Sequence, residues 1–116
     1  MSEVYQQAIT IARGHRLNDT VRVVAEVGNR IAVHRALLYG EPRQEQAGDH
    51  AAAIWTVTHV PSSLAIRTAA HPLMFKRTAD ALAAELRALP QGPEWESFNP
   101  VDPRVIAQIR PIADRY

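Results

Sequence analysis

Residues 51–89, AAAIWTVTHVPSSLAIRTAAHPLMFKRTADALAAELRAL, decide the fold. Within them Val60-Pro61-Ser62-Ser63 suits a type I turn, because proline presets φ at its second position. A four-residue loop there predicts His59 opposite Leu64, Val57 opposite Ile66 and Trp55 opposite Thr68. Trp55, Val57, Leu64 and Ile66 then share an apolar face, and Thr56, Thr58, Ala65 and Arg67 share the other. Downstream, Phe75, Ala79, Leu82, Leu86 and Leu89 recur at helical spacing, with Thr78 as N-cap or Pro72 as an earlier start, and Pro90 as the stop.

Working outward toward the N-terminus, residues 40–49 are polar and read as a connecting loop. Before it, Thr20 to Val27 alternates as a half-buried strand, and Arg30 to Leu38 reads as a second one. A three-residue loop, Gly28 to Arg30, is expected because it pairs Val27 with Ile31, Ala25 with Val33 and Val21 with Leu37, keeping apolar residues together. On that register Arg22, His34 and Ala36 lie outward, and Arg35 falls inward near Val23. Val4, Ala8, Ile11 and Ala12 fall on one helical face, so residues 3–13 are expected to form a short helix capped by Ser2 and stopped by Gly14. The competing reading is a strand from Ile9 to Leu17 that turns at Asn18-Asp19.

Five of the eight prolines lie between Pro90 and Pro111, which predicts an arm that wraps the domain. Asp102-Pro103 is a cap-and-first-turn pair, so Pro103 to Arg110 reads as a short helix with Val105, Ile106 and Ile109 inward. Trp95 and Phe98 are its expected anchors. The expected fold is α+β in one domain, 1–116: an N-terminal helix, a four-stranded antiparallel sheet of two β-hairpins, a packing helix, and a C-terminal arm (90–116) with a short helix; the core is placed in residues 20–89.

With 116 residues, 47% of them apolar, the chain can bury one core. The absence of cysteine removes disulfide frameworks, thiolate zinc sites and thiol nucleophiles. No apolar run is long enough to span a bilayer, and Met1-Ser2-Glu3-Val4 lacks a signal-peptide start, so a cytoplasmic protein without membrane contact is expected. A formal charge of +1 offers no global attraction for nucleic acid, although twelve of the thirteen basic residues are Arg, the better bidentate partner for phosphate.

The chemistry-bearing residues are sparse. His15, His34, His50, His59 and His71 show no ligand spacing; His34 and His59, on strands with Asp49 or His50 nearby, carry the alternative of a metal-dependent enzyme. Ser62 and Ser63 follow proline in a turn, where serine serves local backbone bonding, and the pairs Glu94 with Glu96 and Glu41 with Glu45 lie in polar loops. No phosphate loop, nucleophile elbow or cofactor motif is found. A curved sheet followed by a helix, over residues 20–89, resembles in topology the small single-strand-binding modules that dimerise through that helix. Independently of that resemblance, if the Trp55 face packs against the helices, the opposite face carries Arg22, His34, Thr56, Thr58 and Arg67, with Lys76 and Arg77 at the helix start, as a nucleic-acid face that lacks aromatic stacking platforms. The favoured expectation is a non-catalytic binding or regulatory module that acts on a protein partner or on itself as a homodimer, because an open four-stranded sheet leaves two edges to cover.

Overall fold

The computed structural model describes residues 4–13, 16–38, 41–42, 55–66, 75–96 and 101–116. Its elements are β1 (Tyr5–Arg13), β2 (Arg16–Gly28), β3 (Ile31–Arg35), β4 (Leu37–Leu38), β5 (Glu41–Pro42), β6 (Trp55–His59), β7 (Leu64–Ala65), α1 (Lys76–Arg87), a 3-10 turn (Pro93–Glu96) and α2 (Pro103–Ala113). The class is α+β. Five strands form one antiparallel sheet in the order β1-β2-β3-β6-β7, while β4 and β5 make a small separate ladder.

The expected N-terminal helix is instead β1, and the sheet gains a fifth strand. Tyr5 through Ala12 pair with Val27 through Thr20 in an unbroken antiparallel register. The reason is burial: Ile9 and Ile11 join Val23, Ala25, Val27 and Ala32 in a core on one face of the sheet, whereas a helical stripe would have relied on Val4 and Ala8, both exposed here. Tertiary pairing overrides the short helical periodicity. β1 begins before the alternative strand reading allowed, Arg13 pairs with Arg16, and Asn18-Asp19 lie within β2 and not in a turn.

The first predicted loop is also corrected. Gly28 pairs with Ile31, Val27 with Ala32 and Glu26 with Val33, so the loop has two residues, Asn29 and Arg30. Both adopt left-handed backbone, φ 45° and 67°, as a type I′ hairpin requires. An arginine tolerates this conformation here because its side chain is tied to Glu96 and to Gln91, while Gln91 Nε2 donates to the Asn29 carbonyl at 2.8 Å. The shift of one residue exchanges the faces of the whole strand. Ile31, Val33 and Arg35 now share a side with Glu26, and Ala32 and His34 turn to the side of Ala25 and Val27. Arg35 does not approach Val23; its guanidinium lies 5.0 Å above the Trp55 ring. The predicted strand also stops at Arg35 and resumes as β4, whose partner β5 occupies the start of the stretch expected to be loop.

The second hairpin forms as its turn chemistry predicts: His59 pairs with Leu64, and the Ile66 N–H donates to the Val57 carbonyl at 2.7 Å. Ser63 closes the turn with φ 62°. The outermost strands approach each other, since the Ala12 N–H donates to the Ser63 carbonyl at 2.9 Å, so the sheet curls around its own apolar face.

The opposite face is covered by helices. Ile31, Val33, Val57 and Ile66 pack with Ala79, Leu82, Ala83 and Leu86 of α1, with Trp95, and with Val105 and Ala113 of α2. α1 starts after Phe75 with no side-chain cap and no acid in its first turn, so Thr78 is not its cap and packing holds it in place. Phe75 and Ile106, both expected inward, are exposed. Asp102 does cap α2, accepting from the Arg104 N–H at 2.9 Å, and the helix continues beyond Arg110 to Ala113. Ser2, Gly14, His15, Asp49, His50, Arg67, Thr68, His71, Pro72 and Phe98, named in the sequence reading, lie outside the described residues, as do 43–49 of the expected loop and Gly40.

Candidate interaction surface

The residues proposed for a nucleic-acid face do not share one surface. Arg22 sits opposite Thr10, exposed, on the side of the sheet that faces the helices. His34, Thr56 and Thr58 point to the other side and are buried. Lys76 bridges Glu26 and Asp80, each at 2.9 Å, and lies 5.2 Å from the Trp55 ring. Burial pulls its ammonium down in pKa, but hydrogen bonds to Glu26 and Asp80 leave it raised, so its charge is matched locally. Arg77 is exposed and stacks 5.3 Å from the Phe75 ring. Arg67 lies outside the described residues.

The two described histidines, His34 and His59, hold structure together. His34 Nδ1–H donates to the Arg35 carbonyl at 2.7 Å, which leaves Nε2 to accept from the Thr58 hydroxyl at 2.6 Å. His59 Nε2–H donates to the Trp95 carbonyl at 2.8 Å, and its Nδ1 accepts from Ser62 Oγ at 2.9 Å. Burial lowers the pKa of both imidazoles, opposed by those carbonyls, so both are held neutral. The two rings project from opposite faces of the sheet, so the structure does not bring together the pair on which a metal site was expected to rest. Among the described residues no cluster of three metal-ligating side chains occurs.

Ser62 beside His59 has the separation of a nucleophile and its base. However, its Oγ also accepts the Leu64 N–H at 3.2 Å, the serine is buried, and the imidazole is oriented by a backbone carbonyl, which supplies no negative charge. The pair fastens the β6–β7 turn to the 3-10 turn at Trp95. Next to it, a cleft of about 260 Å³ opens between this hairpin and α2, lined by Leu64, Ile66, Val101, Ile109 and Arg110.

Among the described residues, the surface left without a partner is the outer side of β1. Because the Ala12 N–H points away from β2, toward Ser63, the alternation of an antiparallel ladder turns the backbone groups of Thr10, Ala8 and Gln6 outward as well. Among the described residues nothing pairs with them. Residues 4–8 are exposed throughout. Of the five most exposed large apolar residues among those described, Val4 (47%), Tyr5 (57%) and Val24 (67%) belong to this one hairpin, Tyr5 and Val24 on opposite faces of it. The sequence reading missed this edge by treating residues 3–13 as helix; the signal available was Ile9-Thr10-Ile11, which alternates in phase with Val21 and Val23. No protein-family model, curated protein or solved structure matches the chain, so the surface must be read from its own chemistry.

Proposed function

We propose that this protein is a non-catalytic binding module that works through protein–protein contacts, with the outer edge of β1 as its working surface. One observation carries the reading. β1 is a long edge strand with no proline and no charge from Val4 to Ala12, and it is exposed over its first half. Monomeric proteins protect such edges with lysine, proline, bulges or short strands, because an open row of N–H and C=O groups templates pairing with another chain. From Val4 to Ala12, before the irregularity at Ala12/Arg13, the edge keeps no lysine, proline or bulge and is suited to accept an extended strand, with main-chain hydrogen bonds for affinity and alternate side chains for selectivity.

The single-strand nucleic-acid reading has less support. Its residues are divided between two faces, the charge of Lys76 is matched by Glu26 and Asp80, and the stacking-capable Trp55 is already covered by Arg35 and Lys76. The test is fluorescence anisotropy with a labelled, end-capped peptide of the Val4–Ala12 sequence. Saturable binding to the whole protein, lost in Ala8→Pro, is expected. Proline at position 8 removes an outward N–H and leaves the bonds to β2 intact. A peptide that ignores the wild-type protein at every soluble concentration overturns the reading.

A further inference from the structure

Resting on that reading of the edge, we infer that the strand it takes is β1 of a second copy, paired antiparallel about a two-fold axis at Gln7. At one end of the edge Ala12 is engaged by Ser63, and among the described residues the outward groups of Val4, Gln6, Ala8 and Thr10 have no partner. The centre of these four is Gln7. A copy centred there places Gln6 opposite the partner's Ala8 and Val4 opposite the partner's Thr10, all residues whose backbone groups face outward, and each pair exchanges two hydrogen bonds. Centring on Ala8 would leave Val4 facing the already engaged Ala12, whereas the Gln7 axis pairs all four of the described outward residues with one another.

The side chains suit a self-pairing. On a two-fold axis each residue near the centre meets itself or a close neighbour, so a charge there would face its own sign; the nine residues from Val4 to Ala12 contain none. Gln7 would meet the partner's Gln7 across the axis, where two amides can each donate and accept. Tyr5 would lie against the partner's Ile9, an aromatic and β-branched pair that covers a ring now 57% exposed. An axis perpendicular to the sheet keeps the faces aligned, so the five-stranded sheet doubles into a continuous one, with the helices of both copies on the same side. A ladder of this length buries less than the roughly 1,600 Å² of a standard interface, so association in the micromolar range is expected.

Sedimentation or light scattering of the full chain, from about 1 µM to about 500 µM, reads the outcome directly. The wild type is expected to double from 12.9 kDa within that range. Gln7→Lys and Gln7→Glu, at an exposed position that leaves folding intact by circular dichroism, should each weaken association by about tenfold or more, and an equimolar mixture of the two should restore it. Ala8→Pro should also be monomeric. A wild type that dimerises equally well with either Gln7 substitution overturns the inference, as does one that stays monomeric throughout. In either case, binding of the Val4–Ala12 peptide leaves the edge reading standing, whereas a monomer that also ignores the peptide removes both.

Discussion

Replacing Arg87 by Met should destabilise the fold by about 3 kcal/mol, and the structure supplies each part of that figure. Arg87 lies in the last turn of α1 and sends its guanidinium under the β2–β3 hairpin. Nε donates to the Gly28 carbonyl at 3.2 Å, and Nη2 donates to the carbonyls of Glu26 at 3.0 Å and Ile31 at 3.2 Å. Hydrogen bonds to a charged group contribute about 1.5–3 kcal/mol each when dry. This side chain is only half-buried, so water recovers roughly half of the loss, which leaves about 1 kcal/mol per carbonyl. Met keeps the apolar stem, so packing is little changed. At this chain length about 3 kcal/mol corresponds to a fall in Tm of about 10 °C. Urea unfolding followed by far-ultraviolet circular dichroism should show a lower midpoint with an unchanged slope. Arg87→Lys should lose about half as much, because one ammonium cannot span three carbonyls. Arg77→Met, at an exposed site, should stay within about 0.5 kcal/mol of wild type. A loss below about 1 kcal/mol for Arg87→Met would refute the idea that this guanidinium clamps the hairpin.

Three further outcomes are expected. Since His34 and His59 are both lowered below their ordinary value of 6.5, the unfolded chain binds more protons than the folded one beneath that pH. Stability should therefore be full above 6.5 and fall as the pH drops toward the depressed values, by at most about 1.4 kcal/mol per pH unit for each histidine; urea midpoints that are flat, or that rise on acidification, would contradict this. Trp95 is fully buried with its indole Nε1–H unpartnered among the described residues, so Trp95→Phe removes an orphan donor and should cost less than about 1.5 kcal/mol, against about 3–5 for Trp95→Ala, both read from urea unfolding. Ser63→Gly keeps the backbone bonds to His59 and Ala12 while relieving a left-handed φ of 62°, and should raise stability by about 0.5 kcal/mol in the same assay.

The readable and unreadable parts of this fold differ in what sets them. The β6–β7 hairpin and the start of α2 were legible because local chemistry determines them: Pro61 presets the turn, and Asp102-Pro103 places the cap and first turn. Residues 5–13 were not, because Val4, Ala8, Ile11 and Ala12 fit a helix face as readily as Ile9 and Ile11 fit a strand face until β2 is beside them. The β2–β3 register was missed for a different reason. Gly28 looks like the natural left-handed residue, yet it is buried in the ladder opposite Ile31, and the left-handed positions fall to Asn29 and Arg30. What permits that is held far along the chain, in Arg87, Gln91 and Glu96, and no local rule sees contacts nearly sixty residues away or more. The candidate nucleic-acid surface failed with the register, since moving β3 by one residue sends His34 to the side away from Arg22.

The same register explains why the open edge lies where it does. With Gly28 paired to Ile31, the Ala25 and Val27 face of β2 is continuous with Ala32, and these small side chains let the sheet curl until β7 reaches the far end of β1. β7 is two residues long and its turn touches β1, so that side of the sheet is closed in the manner expected of a protected edge. Among the described residues, β1, nine residues long, is closed only at its Ala12 end. Charge was available to protect the remainder: 22% of the chain is charged, and Arg13 and Arg16 flank the strand's end, yet nine consecutive residues of β1 and its approach carry none. A lysine at Gln7, with its side chain exposed, would shield the edge without disturbing Ile9 or Ile11, so the fold itself does not demand a neutral residue there. What a neutral residue at that position permits, and a charged one forbids, is the approach of an identical strand.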